Sequence, residues 1–417
     1  MPLIVVERTL HYDAPVARLW PLLSDSSLLA ELNAQPPYVA QDELQADGSV
    51  IRRAQGIFGP PVAAEWTEDL GEWIYHRYVH QLRQFSKGAF SYVDYQSHVK
   101  PAEGGFDLAV RIEMQTAGAV GWVCGQLGLI RRGAIKVLSS LDRMLRTELA
   151  HPIAGHDDDN QQAGAFAPKP LTPSVQAHLD QAMADVARDY GDSPILQKLA
   201  DYLAQTPETW LQRMRPLTLA RKWQADAGEV VAVCLAAHHH GVLRLRWEVL
   251  CPRCRNASDV PDNLADLPKS VHCTTCNIDF EQDFSANVEL IFQPEPWLRH
   301  LPEGAYCMMG APSVPHIKVQ RHVAPGERLQ IDPPLAPGSY RLRTTQSGDQ
   351  IDVEWDGKKG FPSLVVCDDQ ILAGLPSDNG CVIMDNQTDR NLTFVIEELA
   401  WRQDALTGDR AIVMPAF

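Results

Sequence analysis

Two pairs of cysteines in the middle of the chain constrain its fold more than any other feature. They are Cys251/Cys254 and Cys273/Cys276, in the stretch LRWEVLCPRCRNASDVPDNLADLPKSVHCTTCNIDF, and eighteen residues separate the two pairs. Each Cys-x-x-Cys turn directs two thiolates at one ion, and two such turns at this spacing supply the tetrahedral ligand set of a zinc ribbon. Four cysteine ligands leave no position for water or substrate, so the spacing predicts a structural Zn²⁺. A redox dithiol pair and an iron-sulfur cluster are the alternatives.

The length, composition and charge of the chain limit its number of domains, its location and its partners. At 417 residues the chain is too long for one ordinary core, and we expect about three domains. Five further cysteines lie in apolar contexts, which favours a reducing, cytoplasmic location over a disulfide framework. No secretory signal is visible, and no apolar run reaches the roughly 20 residues of a membrane span. A net charge of −16 argues against nucleic acid as a general partner.

Residues 1–152 are predicted to form the first domain, because the period of the apolar pattern changes along them. LIVVERTLHY is typical of a strand, and APVARLWPLLSDSSLLAELN of one or two short helices. A series of β-rich runs, from GSVIRRAQGIF to FDLAVRIEMQ, indicates an antiparallel meander. Residues 120–149 carry apolar residues every three or four positions and predict one long amphipathic helix. This order and the APVARLWPLLSD motif resemble the START and polyketide-cyclase-like helix-grip superfamily, in which a sheet wraps a long helix around an apolar cavity.

The resemblance implies that the first domain binds a hydrophobic small molecule or lipid. The candidate pocket residues are aromatic, and the alternative is that each of them fills the core. They are Trp66, Trp73, Tyr78, Tyr92 and Trp122. Some members of the superfamily are enzymes, and a third hypothesis makes His76, His80 or Asp94 an acid or base.

Residues 153–172 are polar and contain Gly, Ala and Pro, which predicts a linker. Residues 173–247 have helical periodicity that ends in helix, turn, helix and the strand VLRLRWEVL, an order that is winged-helix-like. Eight basic and three acidic residues between Arg213 and Arg255 would suit DNA, but the six acidic residues of 256–286 offset them. We therefore interpret the segment as a protein-packing module. The alternative is a DNA-binding transcription regulator that uses Arg221, Lys222, Arg244 and Arg246.

The second half of the chain completes the predicted architecture. Residues 248–286 form the zinc ribbon, residues 287–400 carry short alternating runs that predict a β-sandwich, and residues 401–417 form a junction. The predicted fold class is thus α+β and multidomain, with a helix-grip domain, a winged-helix-like helical domain, a four-cysteine zinc ribbon and a C-terminal β-sandwich.

Several stretches along nearly the whole chain resemble a second family. They include RPLTLARKWQ, HHHGVLRLRWEVLCPRCR, HCTTCNIDFEQDFSANVELIF, PHIKVQRHVAPGERLQI and NQTDRNLTFVIEELAWRQDALTGDRAIVMPAF. They are similar to the N-terminal regulatory region of bacterial class III adenylate/guanylate cyclases. The resemblance implies a regulatory role and a C-terminal cyclase domain as partner if the natural chain is longer. A homodimer is one candidate assembly, and the sequence does not determine the oligomeric state. No stretch is similar to the catalytic domain of that family, so we expect a regulatory half or a free-standing relative, with no catalytic residues of its own.

Overall fold

A computed structural model of the chain shows two compact units. The first comprises Met1–Leu145, Thr274–Ile278 and Gly304–Trp401, and the second comprises Arg146–Cys273, Asp279–Glu303 and Arg402–Phe417. The residues that the structure describes are 1–25, 28–30, 33–36, 38–44, 50–69, 71–150, 170–206, 208–252, 257–259, 261, 264–273, 278–301, 314, 316–346, 349–368, 370–376, 381–399 and 405–414. Within these ranges no helix combines the length and the apolar character that a membrane crossing requires.

The first unit begins with antiparallel strands and helices in the predicted order. Its elements are β1 (Leu3–Tyr12), α1 (Val16–Leu23), β2 (Val39–Leu44), β3 (Val50–Ile57), β4 (Ala63–Glu68), β5 (Glu72–Ile74), β6 (Tyr78–Lys87), β7 (Phe90–Ala102), β8 (Gly105–Thr116), α2 (Gly118–Gln126) and α3 (Leu129–Ala150). Across the sheet the order is β1, β8, β7, β6. Strand β6 then pairs with β5 through its first half and with β4 through its second half, and β2 and β3 extend the sheet beyond β4.

Alternating burial distinguishes the two faces of this sheet. The even-numbered residues of β8 are buried, and most of those in β1 are buried as well, because Val6 pairs with Ile112 and Tyr12 with Phe106. This face contacts α3, since the Tyr12 hydroxyl donates a hydrogen bond to Asp142 at 3.0 Å. We call it the inner face, and the opposite side of the same strands the outer face.

Helix α3 packs an apolar stripe that includes Leu138, Leu141 and Leu145, all of which are buried. The prediction of a single helix over 120–149 is wrong at its beginning, because α2 and α3 are separate helices. The break lies at Gly128, whose φ of +68° is a left-handed conformation that favours glycine and ends a helix.

The C-terminal strands of the first unit form two sheets around one core. They are β14 (Ile317–Val323), β15 (Arg328–Ile331), β16 (Gly338–Thr344), β17 (Gln350–Trp355), β18 (Ser363–Cys367), β19 (Gln370–Gly374), β20 (Val382–Asn386) and β21 (Leu392–Glu398). Strands β14, β21, β16 and β17 belong to one sheet, while β15, β20, β18 and β19 form the other. Val319 and Phe394 from the first sheet share a core with Leu364 and Met384 from the second.

The strands at both ends of this unit belong to one continuous sheet. Strand β5 pairs with β14, with Ile74 opposite Val319 and Trp73 opposite Gln320. The Trp73 indole also donates to the carbonyl of Ile317 at 2.9 Å. Segments that the sequence assigned to separate domains therefore share one 12-stranded sheet.

The second unit combines short helices with a small sheet. Its elements are α4 (Pro173–Tyr190), α5 (Pro194–Gln205), α6 (Glu208–Leu211), α7 (Pro216–Lys222), α8 (Ala227–His239), β9 (Leu243–Leu250), β10 (Ala257–Asp259), β11 (Ser270–Cys273), β12 (Ile278–Glu281), β13 (Val288–Pro294) and α9 (Gly408–Ile412). Side chains cap three of the helices, because Thr172, Ser193 and Asp226 each accept a hydrogen bond from a backbone N–H of the first turn.

Strand β13 begins the predicted β-sandwich segment, but it pairs elsewhere. It lies antiparallel to β9, from Val288 opposite Val249 to Pro294 opposite Leu243. Its apolar side chains, such as Leu290, join the core formed by the helices of the second unit. The apolar run therefore predicted correctly that β13 is a strand, but it did not predict that β13 pairs with β9.

This mixture of antiparallel sheets and helices confirms the α+β class. The strand order and the packing of α3 in the first unit are consistent with a helix-grip fold. The winged-helix assignment of 173–247, the zinc ribbon of 248–286 and the predicted domain boundaries stay predictions. Residues 153–169, which are most of the predicted linker of 153–172, lie outside the described residues.

Candidate functional site

The inner face retains accessible side chains along one strand. In β8, inward residues such as Leu108 and Val110 are buried. Val110 pairs with Ser97 of β7, which pairs with Val79 of β6, so the odd-numbered positions of β6 point to the same inner face. These positions are only partly buried, and they are Val79, Gln81, Arg83 and Phe85. They define the candidate site.

A buried carboxylate lies in this site. Glu68, at the end of β4, is 1% exposed and is paired directly with Arg83 across β4 and β6. Its Oε1 accepts hydrogen bonds from Arg83 Nε at 2.6 Å and from Trp66 Nε1 at 2.8 Å. The Tyr38 hydroxyl donates to the same oxygen at 3.3 Å, and Gln81 Nε2 donates to Oε2 at 3.3 Å. Several strands thus hold one carboxylate on the inner face.

The charge state of Glu68 follows from these contacts. Burial alone raises the pKa of this carboxyl group, because it disfavours the charged form. The charge and hydrogen bond of Arg83, together with Trp66 and the charge of Arg52, outweigh burial, and the pKa of Glu68 is lowered from 4.5. The group is therefore a carboxylate at neutral pH, faced by two guanidinium groups.

Aromatic rings form a wall beside this charged pair. The ring centre of Trp66 lies 4.9 Å from that of Tyr38, 5.7 Å from Phe58 and 5.6 Å from Phe85. The guanidinium carbon of Arg83 lies 5.2 Å from the centre of the Phe58 ring. Apolar walls with a few fixed polar groups are typical of small-molecule sites. The arrangement suits an apolar ligand that carries one polar group.

The structure does not bring the five predicted aromatic residues together. Trp66 lies in the aromatic wall, and Trp73 is buried on the inner face opposite Val79. Tyr78 and Tyr92 lie on the outer face, where the Tyr92 hydroxyl donates to Glu113 at 2.6 Å. Trp122 lies on α2 and is 51% exposed.

Sequence reasoning missed the polar members of the site, which are Tyr38, Gln81, Arg83 and Glu68. The sequence does contain a pattern that indicates Glu68. Trp66 and Glu68 alternate in the run AAEWTE, so a charged residue occupies the same face as a buried aromatic residue. A charge at an inward strand position indicates a buried ion pair or a binding site.

Two of the three predicted acid or base residues meet on the outer face. The Nδ1 atom of His80 lies 2.6 Å from Glu72 Oε2, and its Nε2 atom lies 3.1 Å from Asp94 Oδ1. Burial lowers the pKa of His80, but the two carboxylates outweigh it, and the pKa is raised. Both ring nitrogens face carboxylates, which favour the protonated form of this histidine. It is a poor candidate for a general base.

His76 lies apart from that pair, in the turn between β5 and β6. Its φ of 60° is left-handed, and its ring stacks on Tyr75 with centres 3.7 Å apart. Burial, together with the charges of Lys318 and Arg77, lowers its pKa to about 4. His76 is therefore neutral at physiological pH.

The structure describes two of the four predicted zinc ligands. Cys251 follows β9 and Cys273 ends β11, and both side chains are buried. Cys254 and Cys276 lie outside the described residues. Among the described residues, which include two of these four cysteines, there is no group of three or more potential metal ligands. The zinc site stays a prediction.

The basic residues of the DNA-binding alternative are half-buried, apart from the exposed Arg221. The amino group of Lys222 lies 4.9 Å from the centre of the Tyr202 ring, and burial lowers its pKa to about 8. Arg244 Nε lies 3.9 Å from Glu295, and Arg246 is half-buried on β9. Side chains held in this way are poorly placed to contact phosphate groups.

Comparisons with known proteins give limited matches. The model of a family of unknown function (DUF5939) matches residues 177–305. The comparison with curated proteins found no match.

Among solved structures, the chain is similar to the Zhui aromatase/cyclase from a Streptomyces species. The two share 15% identity with a TM-score of 0.27, and the match covers 36% of this chain and 96% of that one. A protein from Thermus thermophilus has 15% identity, a TM-score of 0.25, and coverage of 35% and 97%. A protein from Chromobacterium violaceum has 17% identity, a TM-score of 0.23, and coverage of 34% and 96%. Structural similarity at TM-scores this low supports no conclusion about the fold or the function of this chain.

Proposed function

We propose that the chain is the regulatory portion of a class III nucleotide cyclase and that the inner face of its first domain binds a hydrophobic small molecule. The observation that supports ligand binding is the partly exposed inner face of β6, where an aromatic wall borders the Glu68–Arg83 pair. The support for the cyclase context is the sequence resemblance described above.

The contacts suggest how such a ligand would be held. Its apolar body would cover Phe58, Phe85 and Val79, which are partly exposed, and would remove apolar surface from water. Arg83 uses its Nε on Glu68 and one Nη on Gln81. The positive charge of Arg83 would attract a polar group of the ligand, such as a hydroxyl, carbonyl or carboxylate oxygen, to this end of the site.

In a longer enzyme, the C-terminal segment would connect a catalytic domain to the second unit. The backbone N–H of Leu290 donates to the carbonyl of Leu406 at 2.8 Å, and Thr407 bridges to Glu289. Gly408 lies against the Phe284 ring so closely that a Cβ atom there would be 2.5 Å from it. A domain that follows this segment would be tethered to the second unit.

We further propose that Cys251, Cys254, Cys273 and Cys276 hold a structural Zn²⁺. The two described members fit this role, because both are buried thiols at the ends of strands. Bound zinc would supply stability to a segment that is too small to bury a core of its own.

Elemental analysis tests the zinc proposal. The purified chain should contain one zinc per molecule, and Cys251→Ser should lose it. Cys124→Ser, at a half-buried cysteine of α2, is the control and should keep the metal. A metal-free chain that is folded, or zinc retained by Cys251→Ser, would contradict the proposal.

Blocking the inner face tests the ligand proposal. Gln81→Trp places a large ring on the inner face of β6, and Gln84→Trp places the same ring on the outer face of the same strand. After incubation with a bacterial lipid extract, native mass spectrometry should detect a retained apolar molecule in the wild type and in Gln84→Trp, and not in Gln81→Trp. Equal retention by both variants, or no retention by the wild type, would show that the inner face is not the site.

A further inference from the structure

Helix α2 is apolar and yet exposed. Its sequence, GAVGWVCGQ, contains no charged residue. The exposed fraction is 42% for Val120, 51% for Trp122 and 44% for Val123, and it is 61% for Leu127 and 48% for Leu129 just beyond the helix. Monomeric proteins rarely expose contiguous apolar patches of this kind without a use for them.

Glycines explain why these side chains point outward. Gly121 is the one buried residue of α2, and a Cβ atom there would lie 2.1 Å from the carbonyl oxygen of Ala89. One turn later, a Cβ atom at Gly125 would lie 3.2 Å from Pro2. The helix therefore approaches the end of the sheet through its glycines, and its larger apolar side chains remain on the far side. The exposure is a consequence of close backbone packing.

The charged residues that follow α2 in the sequence have one sign as far as Leu141. Residues 117–141 contain Arg131, Arg132 and Lys136 and no Asp or Glu, although the whole chain has a net charge of −16. All three basic residues are exposed. Leu129, Arg132 and Lys136 follow one another at helical spacing on α3, so apolar and basic side chains share one exposed stripe.

We propose that α2 and the first two turns of α3 form a docking surface for an anionic phospholipid bilayer. Exposed Trp and Leu side chains beside Arg and Lys are the composition of segments that lie in the membrane interface. A second copy of the chain is a poorer occupant, because a symmetric contact here would bring Arg131, Arg132 and Lys136 close to the same charges of the partner. A bilayer with acidic headgroups neutralises them instead.

Vesicle co-sedimentation of the full chain measures this binding. The probes are vesicles of phosphatidylcholine alone and of phosphatidylcholine mixed with phosphatidylglycerol. Each basic residue near an anionic surface strengthens binding roughly fivefold, so three of them should favour the mixed vesicles by about a hundredfold at low salt. Added salt should weaken the binding.

Matched substitutions test whether vesicle binding depends on this surface rather than on other parts of the chain. Trp122→Asp should lower binding to the mixed vesicles at least about tenfold, because it places a charge where the apolar side chain enters the interface. Leu375→Asp is the control, at a residue that is 88% exposed in another part of the first unit, and it should bind like the wild type. The double substitution Arg132→Glu, Lys136→Glu should abolish the preference for anionic vesicles, whereas Lys358→Glu, Lys359→Glu should preserve it.

Three results would overturn the proposal. The first is equal sedimentation of the wild type with and without anionic vesicles. The second is loss of vesicle binding in Gln81→Trp, which would indicate lipid capture on the inner face in place of docking. The third is a dimer that Trp122→Asp dissociates while neither protein binds vesicles, which would assign the surface to a second copy of the chain.

Discussion

Glu68 and Glu72 lie close together in the sequence and on opposite faces of one sheet, and both are buried, yet their partners differ. Glu68 on the inner face is held by Arg83, Trp66 and Tyr38, all from the first domain. Glu72 on the outer face is held by His80 and also by partners from β14, far along the chain. The first carboxylate stays within one fold and borders an accessible surface, whereas the second joins distant segments.

The contacts of Glu72 with β14 are direct. Arg321 Nε lies 3.1 Å from its Oε1 atom, and the backbone N–H of His322 donates to the same oxygen at 2.9 Å. Gln320 adds a hydrogen bond to the carbonyl of Gly71 at 2.6 Å. A buried carboxylate that pairs with a guanidinium group can therefore belong to a binding site or can stabilise the pairing of distant strands. The positions of its partners in the chain distinguish the two roles.

The largest effect should come from removing the Glu72 carboxylate. Glu72→Gln removes the counter-ion next to Arg321 and one of the two carboxylates next to His80. Breaking a buried pair in this way costs about 3–5 kcal/mol. Chemical denaturation should show this loss in the free energy of unfolding. Glu65→Gln removes a carboxylate that is 52% exposed and should cause no measurable change. A small effect of Glu72→Gln would mean that the β5–β14 junction does not depend on this ion pair.

Acid should have the next largest effect, because it protonates the Glu72 carboxylate. Burial raises the pKa of this group, but His80, Arg321 and His322 lower it further, from 4.5 to about 2. Its contribution is thus fully present above pH 4.5 and is lost as the pH falls toward 2, by about 3 kcal/mol.

Denaturation curves across this pH range should show a flatter acid limb for Glu72→Gln than for the wild type. His80 acts in the opposite direction, because its pKa is raised from 6.5: its contribution is present below pH 6.5 and is lost as the pH rises through the folded-state pKa. Parallel acid limbs for the two proteins would contradict the assignment to Glu72.

Glu68→Gln should have the smallest of the three effects. The amide oxygen still accepts hydrogen bonds, and Arg83 keeps the hydrogen bond from one Nη to Gln81. We expect a loss of about 2 kcal/mol in the free energy of unfolding. A loss as large as that of Glu72→Gln would remove the distinction between the two faces and would indicate that Glu68 supports the core rather than a ligand.

Periodicity predicted much of the first unit, because short alternating runs and a long apolar stripe depend on local residues. The break between α2 and α3 was missed because Gly128 is isolated in an otherwise helical pattern, and its left-handed φ is visible only in the structure. The partner of β13 was missed for a different reason. Its mostly apolar run, VELIF, does not alternate and suits either neighbouring sheet.

The candidate site was predictable in its place but not in its composition. A helix-grip resemblance directs attention to the inner face, and it led to aromatic residues of which two lie on the outer face. Alternate residues of a strand point to opposite faces, so Gln81 and Tyr78 lie on different faces of the sheet. Which of them lies on the inner face follows only from the register of β6 with β7. The junction of Glu72 with Arg321 could not be predicted, because a single sequence does not indicate which distant strands pair.

The pairing of β5 with β14 has a consequence for dissecting the protein. A fragment that ends at Ala150 would carry β5 as a bare edge, with the Trp73 indole deprived of its acceptor. Bare edges recruit strands from other molecules, so such a fragment would aggregate or bind itself. Supplying residues 314–399 as a separate polypeptide should restore the missing neighbour, which makes the two pieces a natural pair for complementation.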